Sequence, residues 1–254
     1  MGVLGGILLV IAVLVLCGWW DYRLKVRALN LAVSSTPAQL HELQRRVAQE
    51  IGGGYLQEYV KISGQIVADR PLVSELKRLP CVHYRLCVSR VYKTTESHED
   101  GSSETKYRHE ILSSNTQTIP FRLRDGDMEI YVDPRGAEIE TVQVLNEFQE
   151  DNNTTHLAFG RFQMDLSSLP KHSDTVGYRY EEWILPVNQQ VFVVGTASDE
   201  RGKLRIRRPH QKGQLFFISL ESEENLTKKV RQYARASIIA AGVFSGLGIL
   251  LILL

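Results

Sequence analysis

The run 234–254, ARASIIAAGVFSGLGILLILL, constrains this chain more than any other stretch. Beyond Arg235 it carries no charge, and about 20 apolar residues at 1.5 Å per residue span a hydrocarbon core of ~30 Å. Residues 3–20 form a matching uncharged run that closes on Trp19 and Trp20. The expectation is an α+β chain, in which two transmembrane helices flank a β-rich, barrel- or sandwich-like soluble domain with a short amphipathic helix. Residues 1–21 are read as the first span and 22–57 as a juxtamembrane helical segment. Residues 58–221 are the β-rich domain, and 222–254 a helix continuing into the second span.

Charge gives the expected orientation. Lys and Arg number 30 against 29 Asp and Glu, a net charge of +1, so no global field draws nucleic acid. Positive charge clusters at the inner ends of the apolar runs. Arg23, Lys25 and Arg27 follow the first; Lys228, Lys229, Arg231 and Arg235 border the second. The positive-inside bias puts the middle domain on the cytoplasmic side of a cell membrane, in a multi-pass protein whose first partner is the lipid bilayer. Met1-Gly2 carries no Lys or Arg and no small-x-small cleavage site follows, so the first run reads as a retained anchor. Gly242 and Gly246 form G-x-x-x-G. Such a small-residue face allows close contact with the first run, or with a second copy of the chain as a homo-oligomer.

Between the runs the pattern is mostly of period two. One exception comes first: Thr36-Pro37-Ala38-Gln39 is a capping box with proline at the first helical position. Leu40, Leu43 and Val47 continue it as an apolar stripe, and three glycines from Gly52 end it. Residues 59–67 and 82–88 alternate as strands, with 106–112 as hairpin partner of the second and 97–104 as its polar tip. Asp125-Gly126 between alternating runs marks another hairpin. Its expected register sets Leu123 opposite Met128, Phe121 opposite Ile130, Arg122 opposite Glu129 and Arg124 opposite Asp127. Residues 159–172 read as irregular, 176–184 as extended, and 191–195 as a strand buried on both faces. Residues 204–207 and 215–218 are two more short strands. Gly64 and Gly195 sit in similar strand segments, which hints at two related β units. Ser222 with Glu223 and Glu224 opens the final helix.

Reactive chemistry is sparse in this pattern. Of three cysteines, Cys17 lies in the first apolar run. Cys81 and Cys87 on one strand are about 20 Å apart, beyond the ~7 Å reach of a disulfide. Cys81, His83 and Cys87 share a strand face by alternation, but Cys87 is too far to complete a metal site. Glu181-Glu182, His109-Glu110 and His41-Glu42 lack HExxH spacing, and the paired carboxylates Glu181-Glu182 read as solvated. No phosphate-binding loop, nucleophile elbow or dinucleotide fingerprint occurs, so neither a cofactor nor a catalytic residue is implied. Lys203, Arg205, Arg207 and Arg208 make a basic strand, either a solvated face or a contact for anionic lipid.

Several blocks together carry a resemblance. Ile66-Val67 leads to Pro71-Leu72 and then to Pro80-Cys81-Val82-x-Tyr84. Thr118-Ile119-Pro120-Phe121-Arg122-Leu123 precedes Val132-Asp133-Pro134. Glu181-Glu182-x-Ile184-Leu185-Pro186 precedes a block from Val191 to Gly195, then Pro209 and Phe216-x-Ile218-Ser219. In this order they resemble the GIDE ("beside-a-membrane") domain of mitochondrial outer-membrane ubiquitin ligases, over essentially the whole chain. The resemblance implies RING-type ubiquitin transfer, in which a two-zinc Cys/His domain follows the second span. This sequence departs from that pattern: it has no Cys-x-x-Cys pair, and it stops at Leu254. A RING-less, bacterial-type member is therefore expected. Its expected role is a binding or scaffold domain for an unidentified protein partner; the alternative is an E3 ubiquitin transferase relative active only through a partner.

Overall fold

The computed structural model describes residues 2–97, 103–167 and 174–253. In chain order it forms α1 (Gly2–Leu31), β1 (Val33–Ser34), α2 (Pro37–Glu50), β2 (Gln57–Val67), β3 (Leu72–Val73), β4 (Pro80–Ser97), β5 (Ser103–Thr118), β6 (Phe121–Asp125) and β7 (Met128–Val132). Then follow β8 (Glu138–Ile139), β9 (Val142–Glu150), β10 (His156–Phe159), β11 (Phe162–Asp165), β12 (Thr175–Pro186), β13 (Gln190–Ser198), β14 (Arg205–Arg207), β15 (Phe217–Ser219) and α3 (Glu223–Leu253). The chain divides into two compact units: Met1–Gln65, Leu123–Glu138 and Gln190–Leu254 make one; Ile66–Arg122 and Ile139–Gln189 make the other.

The first unit is built on a closed ring of strands. β2, β6, β7, β14 and β13 follow one another, and β13 returns to pair with β2. Closure leaves no free edge in the ring. Ile62, Leu123, Ile130, Val132, Val193 and Ile206 are all buried there. The two glycine-bearing segments meet in this ring, where Val60 pairs with Gly195 and Gly64 with Val191. A Cβ on Gly195 would lie 2.9 Å from both Ile206 and Phe216 side-chain carbons, so only glycine admits that packing. β13 is buried along nearly its full length, as its unbroken apolar run predicts.

The end of α1 packs on this unit through Ala28, Leu29 and Ala32 against Tyr59, Phe192, Val194 and Phe217. The α2 capping box forms: the Thr36 hydroxyl accepts from the Gln39 amide, and the Gln39 side chain accepts from the Thr36 amide. At the other end of the chain the Asn225 amide donates to Ser222 Oγ at 3.3 Å, the expected start of α3.

The hairpin at Asp125-Gly126 exists, but its register differs from expectation. The turn is Gly126-Asp127, with Gly126 at φ +59°, the residue that a type II′ turn wants first. Arg124 therefore reaches Glu129, with Nη2 to Oε1 at 2.6 Å, and Arg122 pairs instead with Asp69. Phe121, Leu123, Ile130 and Val132 are buried while Met128 is 37% exposed. A one-residue shift of the turn moved methionine to the other face.

The expected pair of transmembrane helices is overturned: among the described residues, no helix is long and apolar enough to cross a membrane. The two-span, transmembrane assignment falls with it, and the fold is mostly β with a closed barrel, not a two-span α+β chain. Both terminal helices form, at 30 and 31 residues. Neither is apolar throughout. Arg23, Lys25 and Arg27 lie within α1; Lys228, Lys229, Arg231 and Arg235 lie within α3. Charge placed at span borders by sequence is thus inside the helices. Leu14 and Ile239 are among their exposed apolar residues.

The second unit is an antiparallel sheet. β4 pairs with β5 over residues 83–97 and with β12, and β12 pairs in turn with β9. Tyr84, Leu86, Val88, Tyr180 and Ile184 form its core with Leu157 and Phe162 from the β10–β11 hairpin. That hairpin corrects the irregular reading of residues 159–172; residues 168–173 lie outside the described residues. Of the expected loop tip at 97–104, residues 98–102 also lie outside the described residues, while Ser97 ends β4 and Ser103 and Glu104 open β5.

Candidate binding site

β14 is the strand that builds the most distinctive surface. It lies parallel to β7, with Ile206 opposite Val132, and antiparallel to β13, with Arg207 opposite Thr196. Ile206 is fully buried. Alternation then puts Arg205 and Arg207 on the opposite, outer face of the ring. A cleft of about 430 Å³ opens there, lined by Asp133, Arg135, Glu200, Arg205, Arg207, Arg208 and His210. The sequence pattern had marked the three arginines of β14 and its continuation. It missed Asp133 and Arg135, which the turn after β7 brings in, and Glu200 and His210, which flank β14 in the chain.

The cleft's charges are partly matched. Glu200 receives a forked pair from Arg207, with Nη1 to Oε2 at 2.6 Å and Nη2 to Oε1. Arg135 Nε donates to Asp133 Oδ1 at 2.8 Å. That hydrogen bond, with Arg205 adding at longer range, holds the Asp133 carboxyl below its ordinary range. Arg205, Arg208 and His210 have no carboxylate partner among the described residues. The buried Nε of Arg207 makes no hydrogen bond among them either. Arg208 is seated by Gly136, whose φ is +80°; a Cβ there would lie 2.9 Å from Arg208 Cδ.

The remaining expected basic residues do not join this cleft. Lys25 pairs with Glu138 at 2.6 Å. Arg23 stacks over Trp19 at 5.0 Å. Arg27 borders a groove on α1 with Trp20, Leu24 and Leu31. Lys228 pairs with Glu224 at 2.6 Å, and Lys229 with Glu221. Arg231 and Arg235 are exposed. A Cβ on Gly242 would meet nothing within 4 Å, and the side-chain surroundings of Gly246 lie outside the described residues.

The reactive residue types of the second unit serve the fold. Glu182, read as solvated, is fully buried. Its carboxylate accepts from Ser74 Oγ at 2.9 Å and from the amides of Leu76 at 2.7 Å and Lys77 at 2.9 Å. Cys81 does not share a face with His83. The β4–β12 register shifts between the Leu185–His83 and Pro186–Cys81 pairs, so Cys81 joins Tyr84 in the core. Burial, with Glu182 adding, pushes the Cys81 thiol up to about 11. Burial also raises the Cys87 thiol. Cys81 is therefore expected to resist iodoacetamide at pH 8 in the folded protein and to react at the ordinary cysteine rate once unfolded in urea. Peptide-level alkylation kinetics read this directly; labelling of native Cys81 at the unfolded rate is the contrary result.

Of the motif residues behind the resemblance, Pro80 opens β4 and its carbonyl accepts from the Val187 amide. Tyr84 donates to Glu75 Oε1 at 2.8 Å. Pro120 precedes the buried Phe121. Among the described residues, no group of three or more His, Cys, Asp or Glu is placed to hold a metal. A family model, GIDE, described as "E3 Ubiquitin ligase", matches residues 91–253. The match takes in every residue of the β14 cleft. No curated protein and no solved structure matches.

Proposed function

The chain belongs to the GIDE family, described as E3 ubiquitin ligase, and from that premise we propose that it is a binding and scaffold module of ubiquitin transfer, with the transfer chemistry carried by a partner protein. The β14 cleft carries this reading. It gathers four guanidinium groups, Arg205 and Arg207 from ring strand β14, Arg208 just beyond it and Arg135 from the turn after β7. Arg207, whose side chain is mostly buried, is oriented by its forked contact with Glu200. The thiols at Cys81 and Cys87, by contrast, are held protonated by burial. A thioester-forming cysteine needs the reverse, an accessible thiolate of lowered pKa.

Two measurements test the reading. The full chain is mixed with ubiquitin-charged conjugating enzyme. Expected are no reductant-sensitive ubiquitin adduct on the chain and an unchanged rate of discharge to free lysine. An adduct on Cys81 or Cys87, or faster discharge with the chain alone, replaces a scaffold with a catalyst. In-cell crosslinking with identification of partners is the positive arm. Recovery of a conjugating enzyme or ligase is expected, and recovery of neither overturns the proposed setting.

A further inference from the structure

We propose that the β14 cleft is a binding site for a compact phosphate dianion, a phosphomonoester carried either on a soluble metabolite or on a lipid headgroup. This deepens the binding-module reading and rests on it. Four guanidiniums and two carboxylates border the space. Glu200 is matched by Arg207 and Asp133 by Arg135. Arg205 and Arg208 remain, two positive charges without an ion-paired carboxylate among the described residues, beside His210. Their surplus equals the charge of a phosphomonoester above its second ionisation.

The matched pairs add shape to that surplus. A forked Arg207–Glu200 contact uses the two terminal nitrogens of the guanidinium, while Arg207 Nε–H, shielded from solvent, makes no hydrogen bond among the described residues. With the Arg207 terminal nitrogens taken by Glu200, the ligand contacts fall to Arg205 and Arg208. Guanidinium forks match the tetrahedral oxygens of phosphate better than the point charge of lysine does. The Arg208 side chain lies against Gly136, whose φ is +80° and where a Cβ would fall 2.9 Å from Arg208 Cδ.

Glu200 and Asp133 set the upper limit on the ligand. Their carboxylates stand within the same cleft, so an extended polyanion would bring further negative charge against them. The chain's net charge of +1 supplies no long-range field to offset that. A volume of about 430 Å³ holds a phosphate with a small organic group attached.

The test uses the full chain and two probes with the same phosphomonoester: glycerol 3-phosphate and the water-soluble dihexanoyl phosphatidic acid. Binding is followed by titration calorimetry and by phosphorus NMR at pH 7.5. Saturable binding of both assigns the site to phosphate itself; binding of the lipid alone assigns it to a headgroup; either supports the proposal. Arg205→Gln with Arg208→Gln is expected to weaken binding about a hundredfold, since each of the two charge-assisted pairs lost is worth about tenfold. The Arg205→Lys, Arg208→Lys pair keeps charge but loses the forks, and should fall between. Arg122→Gln, whose guanidinium pairs with Asp69 elsewhere, should bind as the wild type does. Unfolding curves of the variants verify that each remains folded. Binding of neither probe, or equal binding by the double glutamine variant, overturns the proposal. Those results leave the crosslinking outcome untouched, so the phosphate site and the scaffold role fail separately.

Discussion

Replacing Glu182 by alanine is expected to destabilise the sheet unit by about 3 kcal/mol or more. The carboxylate is fully buried and holds residues 74–77 by three hydrogen bonds, from Ser74 Oγ and from the Leu76 and Lys77 amides. Alanine removes one acceptor group and strands three donors. A buried donor left unmade costs about 1–3 kcal/mol, more than the ~1 kcal/mol net value of an ordinary hydrogen bond. Glu182→Gln should cost less. It keeps one acceptor oxygen but turns an NH2 group toward an amide donor. The chain has two compact units, so a single global transition is the wrong readout. Amide exchange at Leu76 and Lys77 reports the segment directly. Both amides should lose protection in the alanine variant while Val193 and Ile206, in the barrel, keep theirs. A protected Leu76 amide in Glu182→Ala would show that the carboxylate does not hold the segment.

The same glutamate shows where the sequence runs out. Glu181-Glu182 reads as a solvated pair because nothing local says which of two adjacent carboxylates a sheet will bury. The information lies in residues 74–79, more than a hundred positions away, whose amides need an acceptor. Local signals fared better when the partner is near. The Thr36–Gln39 capping box, the Ser222 cap and the buried run of β13 were legible because cap, turn and burial pattern depend on neighbours within a few residues. The hairpin at Gly126 was legible as a turn but not in register. Asp-Gly and Gly-Asp both offer a two-residue turn there, and the buried set Phe121, Leu123, Ile130 and Val132 decided between them. Arg205, Arg207 and Arg208 announced a basic face, but the cleft needed Asp133, Arg135 and Glu200, which only the parallel β7–β14 pairing and the chain beside β14 assemble. The apolar ends announced helices correctly. They misled on spanning, because uncharged length in sequence and the charge distribution of the whole helix are different quantities.

Gly160→Ala is expected to match or exceed the cost of losing Glu182, about 3–5 kcal/mol in the sheet unit. Gly160 sits in the β10–β11 turn at φ +61°. A Cβ there would fall 2.3 Å from the Leu76 carbonyl oxygen and 2.6 Å from that of Glu75. Both are backbone atoms, with no rotamer to yield. The next residue shows why they are so close: the Arg161 amide donates to the Glu75 carbonyl at 2.8 Å. Gly126→Ala separates the two penalties. Its φ is +59°, nearly the same, but a Cβ there meets nothing within 4 Å. It should therefore lose only the left-handed backbone penalty of roughly 1–2 kcal/mol, and the excess at Gly160 measures the collision. Glu182 and Gly160 act on one segment from two sides: the carboxylate takes its amides, and the turn docks on its carbonyls. Once either grip is released, the other has less ordered backbone to hold. The double variant should then cost less than the sum of the singles by about 1 kcal/mol or more. Strict additivity in amide exchange at Leu76 would mean that the two contacts hold residues 74–77 independently.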